Sequence, residues 1–417
     1  MNLTDKEKKM MDGVFGTGPQ SAMRLLVALG EIYDAKRMIP VSSCHLGGRS
    51  YLVSGEENIE WMTNLLEGGG YFQVFTSTNP CSVDFDQWKE MGLPEELVWN
   101  QQRADKLYLK MGAVPMGSCL AYQLGNLPLP GTHFSWGGSA GATFVNSVFG
   151  ARGNREGSPS AVAAAISGMT PEYGLHLQEN RHGRVLVDLS ELDHSSLTLS
   201  DYSAVGFYVG RTLGDKTPVV VGLPTNFSQD QIRFLISPMP TGGAISLCHL
   251  VGITPEAPNV EAAFGKKKPE DKISVGSMEM RSSFEKLTTT QKQDVDLVCF
   301  GCPHCSLSQI GEIASLIEGK KIHANTRLWV ATSGHLKVMA QRMGYVGMIE
   351  QAGGLVTTDL CVAPGAPFHL VKGVKVVAIN SARGAYFIPG ACNVDVIFGD
   401  TRDCIQAAIS GKWRGTR

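Results

Sequence analysis

Ten cysteines are spread along the 417-residue chain, and three of them fall in one short run, Cys299-Phe300-Gly301-Cys302-Pro303-His304-Cys305. Thiols at this spacing can do several kinds of chemistry. Cys302 and Cys305 follow an apolar, strand-like stretch and precede a helical one. A helix dipole can lower a thiol pKa there for dithiol redox work. A zinc clip needs a second close pair, but Cys44, Cys81, Cys119, Cys248, Cys361, Cys392 and Cys404 are isolated. A ferredoxin-type run needs a fourth cysteine near position 309, where Gln309 stands. Burial as small, inert hydrophobes is the plain alternative. In a last reading, one thiol of the run joins distant cysteines, Cys119 and Cys361 foremost, around iron that keeps one position open for a substrate oxygen.

Composition narrows the class. The net charge of −2 gives no electrostatic signal for nucleic acid or an anionic membrane. No apolar run reaches the roughly 18–20 residues that span a bilayer. The polar start, MNLTDKEKKMMDG, has no hydrophobic signal core, which predicts a cytoplasmic protein. In that compartment ten cysteines do not read as a disulfide framework. The 48 glycines cluster in GGRS, EGGGY, WGGSAGAT and TGGA, as in an α/β enzyme with tight turns beside a ligand.

The elements that must hold these residues divide the chain into three. Residues 1–165 mix helices (3–37, ENIEWMTNLLEGGG, SAVAAAISGM) with strands such as YFQVFTST. Residues 166–292 read as a more β-rich inserted region, with RVLVDLS, AVGFYVGRTL, TPVVVGL and AISLCHLVGI as strands. Residues 293–417 alternate strand and helix: VDLVCFG, SLSQIGEIASLIEG, RLWVATS, the long helix HLKVMAQRMGYVGMIEQAG, GLVTTDLC, VKVVAIN, DVIFG and a closing helix. Such alternation means parallel sheets covered by helices. Ligands then bind at the carboxyl ends of the strands, where Cys302, Cys361 and Ser381 fall.

Several segments resemble the aconitase X family, in register along the whole chain. They are STNP (77–80), SCLAY (118–122), NSVFGARGNREGSP (146–159), GCPHCSL (301–307), MGYVGMIEQAGG (343–354), TDLCVAP (358–364) and NSARGAY (380–386). The resemblance implies an aconitase-like α/β fold, with parallel sheets around a central metal cleft. It implies a hydro-lyase that dehydrates a β-hydroxy carboxylate, of the phosphomevalonate or the cis-3-hydroxy-L-proline type. It also implies an iron or iron–sulfur centre on Cys119, Cys302 and Cys361, which leaves Cys299 and Cys305 as neighbours. Substrate-binding positions carried over are Gly48, Arg49, Ser50, Asn79, Pro80, Ser139, Ser381 and Arg383. Arg152 and Arg155 would order the site, with Glu156 as their partner.

Departures from the family pattern bear on the substrate. Trp136-Gly137-Gly138-Ser139 stands where the family has Trp-Ser-Glu-Ser, Arg49 replaces a small residue, and Arg383 replaces a lysine. A pocket that loses a carboxylate and gains an arginine favours a small anionic hydroxy acid. This leans toward the phosphomevalonate type and against hydroxyproline, whose ammonium needs a counter-charge. The resemblance also implies a mobile swivel domain that brings a catalytic serine, and the expectation is that this domain is absent from this chain. The expectation is therefore a large subunit whose base comes from a small swivel-domain partner, and which is inactive alone.

Overall fold

The computed structural model describes residues 1–415. Three parallel sheets follow one another along the chain. Ser43–Leu46 lies between Phe75–Thr78 and Phe134–Trp136 in a three-stranded sheet. Val185–Asp188, Pro218–Val221, His249–Leu250 and Asp271–Ser274 form a four-stranded sheet. The third sheet has five strands, in the spatial order Leu355–Thr358, Arg327–Thr332, Leu297–Phe300, Val376–Ile379, Asp395–Phe398. A small antiparallel pair, Met38–Pro40 with Met169–Pro171, ties the ends of the first segment together. No helix among the described residues is long and apolar enough to cross a membrane.

The third segment forms as its alternation dictates. Successive residues of Leu297–Phe300 point to opposite faces. Leu297 and Cys299 enter one core cluster, while Val298 and Phe300 enter the other. Helix Leu307–Ile317 then starts at a capping box, in which the Ser306 hydroxyl accepts from the Gln309 amide. Cys305 is sealed in this helix-side core. The stretch HLKVMAQRMGYVGMIEQAG is two helices, Gly334–Arg342 and Tyr345–Ala352, not one. Gly344 breaks it in the left-handed region at φ 81°.

The middle segment departs from the expected β-rich region. AVGFYVGRTL belongs to helix Leu199–Leu213, which opens at a capping box between Thr198 and Asp201. This helix is buried on nearly every face, so no polar stripe betrays its period. Its glycines explain the burial. A Cβ on Gly206 would lie 1.9 Å from the Leu235 carbonyl oxygen, and one on Gly210 would lie 2.3 Å from that of Met239. Helices Gln229–Ile236 and Met239–Gly242 can therefore pack directly on its backbone. AISLCHLVGI contributes only the two-residue strand His249–Leu250.

Candidate active site

The carboxyl ends of the first and third sheets open onto one cleft of about 340 Å³. The loops that line it follow strands. Gly47, Gly48 and Ser50 come after Ser43–Leu46, and Asn79 and Pro80 after Phe75–Thr78. Gly137 to Gly141 come after Phe134–Trp136, Gly301 to His304 after Leu297–Phe300, and Cys361 to Gly365 after Leu355–Thr358. Cys119 reaches the cleft differently. Its loop runs beside Phe75–Thr78, with Val114 bridged to Ser77, and does not follow a named strand.

The ten cysteines separate by accessibility. Cys119 and Cys361 are half-buried, and Cys302 is 7% exposed; the other seven are sealed at 1% or less. These three, and no other cysteine, line the cleft. The Cys119 Sγ accepts from the His304 amide at 3.3 Å, and the His304 Nε2–H donates to the Leu360 carbonyl at 2.9 Å. One residue thus ties together the loops that carry all three thiols. Burial pushes the Cys119 and Cys302 thiols up, so both stay protonated until a cation displaces the proton. Among the described residues, no three His, Cys, Asp or Glu side chains are spaced as ligands of a single ion.

Asn79 is aimed by a relay of hydrogen bonds. His45 and Ser77 sit side by side in the parallel register of their strands. The Asn126 Nδ2–H donates to Ser77 Oγ at 2.8 Å, and Ser77 Oγ bonds His45 Nδ1 at 2.8 Å. His45 Nε2 in turn bonds Asn79 Oδ1 at 2.7 Å. Burial lowers the His45 pKa to about 4, so the ring is neutral. The chain of donors then runs one way: Ser77 O–H to Nδ1, and Nε2–H to the Asn79 oxygen. The Asn79 Nδ2 is left as a donor beside Gly138, and a Cβ on Gly138 would lie 3.2 Å from it. Sequence reading missed this relay; its signal was His45 and Ser77 at matching positions before two glycine- and asparagine-bearing turns.

The charged groups on the cleft are Arg155, Arg383 and Glu156. Arg155 donates to the Pro240 carbonyl at 3.1 Å, and Arg383 donates to Thr241 Oγ1 at 2.6 Å while lying 5.0 Å from the Phe387 ring centre. Neither guanidinium pairs with a carboxylate among the described residues. Glu156 is not their partner, contrary to expectation. Its Oε2 accepts from Ser160 at 2.6 Å, its Oε1 is buried and unpartnered, and burial pushes the carboxyl up. Arg152 turns away to Gln178. Helix Ser139–Val148 begins at the cleft with Gly138 as its N-cap and no side-chain cap bond. Its first amides therefore face the cavity unsatisfied by the protein's own side chains.

Of the carried-over positions, Gly48, Ser50, Asn79, Pro80, Ser139 and Arg383 line the cavity. Arg49 and Ser381 do not. The Arg49 guanidinium is 5% exposed and held by Asp105 and Asp359, so it adds no free positive charge to the pocket. Ser381 lies behind the cleft, where its hydroxyl donates to the Cys302 carbonyl and caps helix Ala382–Cys392 through the Gly384 amide.

Comparison with known proteins covers nearly the whole chain. Family models for the aconitase X first, second and third domains match residues 1–179, 183–285 and 295–410. The phosphomevalonate dehydratase large subunit of Methanothermobacter thermautotrophicus is 40% identical over 406 residues, 97% of this chain and 98% of that protein. The protein of the same name from Methanocaldococcus jannaschii is 39% identical over 409 residues, 97% of this chain and 100% of its own. The cis-3-hydroxy-L-proline dehydratase of Pseudomonas aeruginosa is 28% identical over 407 residues, which cover 97% of this chain and 70% of that protein. Among solved structures, the holo-form of Thermococcus kodakaraensis aconitase X superposes with a TM-score of 0.87 at 34% identity, covering 98% of this chain and 100% of that one.

Proposed function

The chain belongs to the aconitase X family of dehydratases, and we propose that it is the large subunit of a hydro-lyase acting on phosphomevalonate. The observation that carries the substrate is the pair of guanidiniums, Arg155 and Arg383, on a cleft where no carboxylate among the described residues pairs with either of them. A planar guanidinium grips a phosphate or carboxylate through two parallel N–H donors. The uncapped start of helix Ser139–Val148 offers further backbone N–H groups to an anion, and Asn79 adds a side-chain donor. A zwitterionic amino acid would find only Glu156 as a carboxylate for its ammonium, and Ser160 already holds one oxygen of that group. The names of the M. thermautotrophicus and M. jannaschii relatives point the same way.

We assign Cys119, Cys302 and Cys361 as holders of an iron–sulfur centre. Three soft thiols around one cavity, with no carboxylate among them, fit iron and sulfide and not a hard cation. When bound, such a centre supplies a Lewis acid for the departing hydroxyl. The chain's own residues hold the substrate's anionic groups, orient it through Asn79 and Ser139, and bury it. Dehydration also needs a base to take the carbon-bound proton. We assign that proton transfer, and the exclusion of water, to a small swivel-domain subunit.

A dithiol oxidoreductase built on Cys302 and Cys305 is disfavoured. Cys305 is sealed in the core at 1% exposure, and burial raises its thiol to about 12, the reverse of a reactive thiolate. The test is iron and sulfide analysis of the anaerobically purified chain, followed by dehydration of phosphomevalonate with and without the small subunit. Iron and sulfide bound in a fixed ratio, with turnover only in the pair, is the expected result. An iron-free chain, or turnover of hydroxyproline in preference to phosphomevalonate, overturns the reading.

A further inference from the structure

Arg49 is a buried cation beside the cleft, held from several sides, and it bonds nothing that could be substrate. Its Nε–H and one Nη2–H grip the Asp105 carboxylate at 2.8 and 2.6 Å. Its Nη1 reaches Asp359 Oδ1 at 3.1 Å and the Asn79 carbonyl at 3.3 Å. Asp105 lies on helix Glu95–Lys110, and Gln101 of the same helix donates to both the Arg49 carbonyl and Asp105. The guanidinium is therefore fixed to a helix on one side and presented to loops on the other.

Those loops are the ones that line the cleft. Arg49 itself sits between Gly48 and Ser50, and the Asn79 carbonyl belongs to the Asn79-Pro80 turn. Asp359 is two residues before Cys361. The Cys361 amide donates to the Cys81 carbonyl at 2.7 Å, and the Cys81 amide donates to the Asp359 carbonyl at 2.6 Å. Gly117, two residues before Cys119, lies against the same ion pair. A Cβ there would fall 1.7 Å from Asp359 Oδ1 and 3.3 Å from Arg49 Nη1. Gly117 has φ +55° and Asp359 has φ 59°. The second is a left-handed conformation that a non-glycine residue holds only when its surroundings insist. Here the Arg49 bond and the bridge to Cys81 supply that insistence.

We propose that Arg49 is a positioning residue that sets the spacing of the Cys119 and Cys361 loops, and so the geometry of the centre they hold. This rests on the assignment of those cysteines above, but the mechanical claim concerns only the two loops. Lysine cannot substitute, because a single ammonium cannot span Asp105, Asp359 and the Asn79 carbonyl at fixed angles.

The test uses the full chain in two forms. In an iron-free, Cys302→Ser background, Cys119 and Cys361 are the accessible thiols. Their crosslinking by dibromobimane, a short bifunctional reagent that fluoresces when both ends react, reads loop spacing without metal. In the native background, iron and sulfide content and visible absorbance read the centre. The variants are Arg49→Lys and the triple variant Arg49→Met, Asp105→Asn, Asp359→Asn; the triple variant removes every charge of the cluster so that no buried ion is left unpaired. Both variants should lose crosslinking yield and retain iron about 10–100-fold less tightly, the scale of losing a partner behind metal ligands. The triple variant should still melt as cooperatively as the parent. Parental crosslinking and parental iron retention in that variant overturn the proposal. If the parent crosslinks but binds no iron, the iron assignment fails, and the crosslinking series still decides the role of Arg49.

Discussion

Replacing Arg383 by methionine removes a guanidinium from the cleft while keeping most of its apolar stem. Two contacts hold this side chain in the free protein, the 2.6 Å bond to Thr241 Oγ1 and the stack at 5.0 Å on Phe387. Losing them costs about 1 kcal/mol for the hydrogen bond and about 0.5–1 kcal/mol for the cation–π contact, so the variant should fold with a modestly lower Tm. The functional loss is larger. Thr241 accepts from one Nη1–H only, and no carboxylate among the described residues claims the others. They are available to an anionic group of the substrate. A hydrogen bond to a charged partner contributes about 1.5–3 kcal/mol, which corresponds to about a 10–150-fold fall in kcat/KM. Most of it should appear in KM, because a phosphate or carboxylate remote from the reacting carbon is bound equally in the ground and transition states. Arg383→Lys should recover part of the loss, since it keeps the charge without the fork. The assay is steady-state dehydration by the reconstituted large and small subunits. A change in kcat/KM below about threefold, with normal folding, would refute the claim that this guanidinium binds substrate.

Three further outcomes follow from the same geometry. Gly138→Glu puts a carboxylate beside Asn79 Nδ2 and between the two guanidiniums' cleft and the start of helix Ser139–Val148; it should weaken phosphomevalonate binding by about tenfold or more through like-charge repulsion, read as KM. Cys305→Ser should retain iron and most activity, because Cys305 is buried away from the cleft, whereas serine at Cys119, Cys302 or Cys361 should abolish both; iron analysis of the four variants separates them. Burial holds His45 at about 4, below its ordinary 6.5, so between these values the unfolded chain takes up a proton that the folded chain refuses. Stability should therefore fall as pH drops from about 6.5 to about 4, by about 3 kcal/mol for this residue, and a His45→Gln variant should show a shallower slope in thermal melts over that window.

How much of this was legible in the sequence depends on what each residue's role requires. Strand ends are readable, because a run such as Leu297–Phe300 bounded by glycine has a period and a stop. This brought Cys302 and Cys361 to the right end of the right sheet. Accessibility among cysteines is not readable: Cys302 and Cys305 stand three residues apart in the chain, yet one faces the cleft and the other the helix-side core. Helix Leu199–Leu213 was misread as a strand because burial on all sides erases the polar stripe, leaving valine, phenylalanine and tyrosine to speak for β structure. Its glycines, spaced four apart, were the neglected sign of close helix packing. The middle segment was expected to be β-rich for the same reason. It carries helices against a parallel sheet, like the segments on either side.

The arginines show why charge counted from sequence misleads about a pocket. Arg49, Arg155 and Arg383 all sit within a few residues of family motifs, and by position all three raise the positive charge of the cleft. What separates them is where carboxylates lie in three dimensions. Asp105 and Asp359 come from distant parts of the chain and meet at Arg49, which consumes its charge and most of its donors. No carboxylate among the described residues pairs with Arg155 or Arg383, whose protein partners are a carbonyl and a hydroxyl that leave the charge uncancelled. Arg155 is exposed and Arg383 half-buried, so water solvates both charges in the free protein, and an anion that enters the cleft can exchange that water for paired N–H donors. The two unpaired cations therefore argue for an anionic substrate, while the paired one argues for rigidity in the loops around it. The loss of a glutamate at Gly138 belongs with the first group, since a carboxylate there would have offered the two guanidiniums a counter-ion.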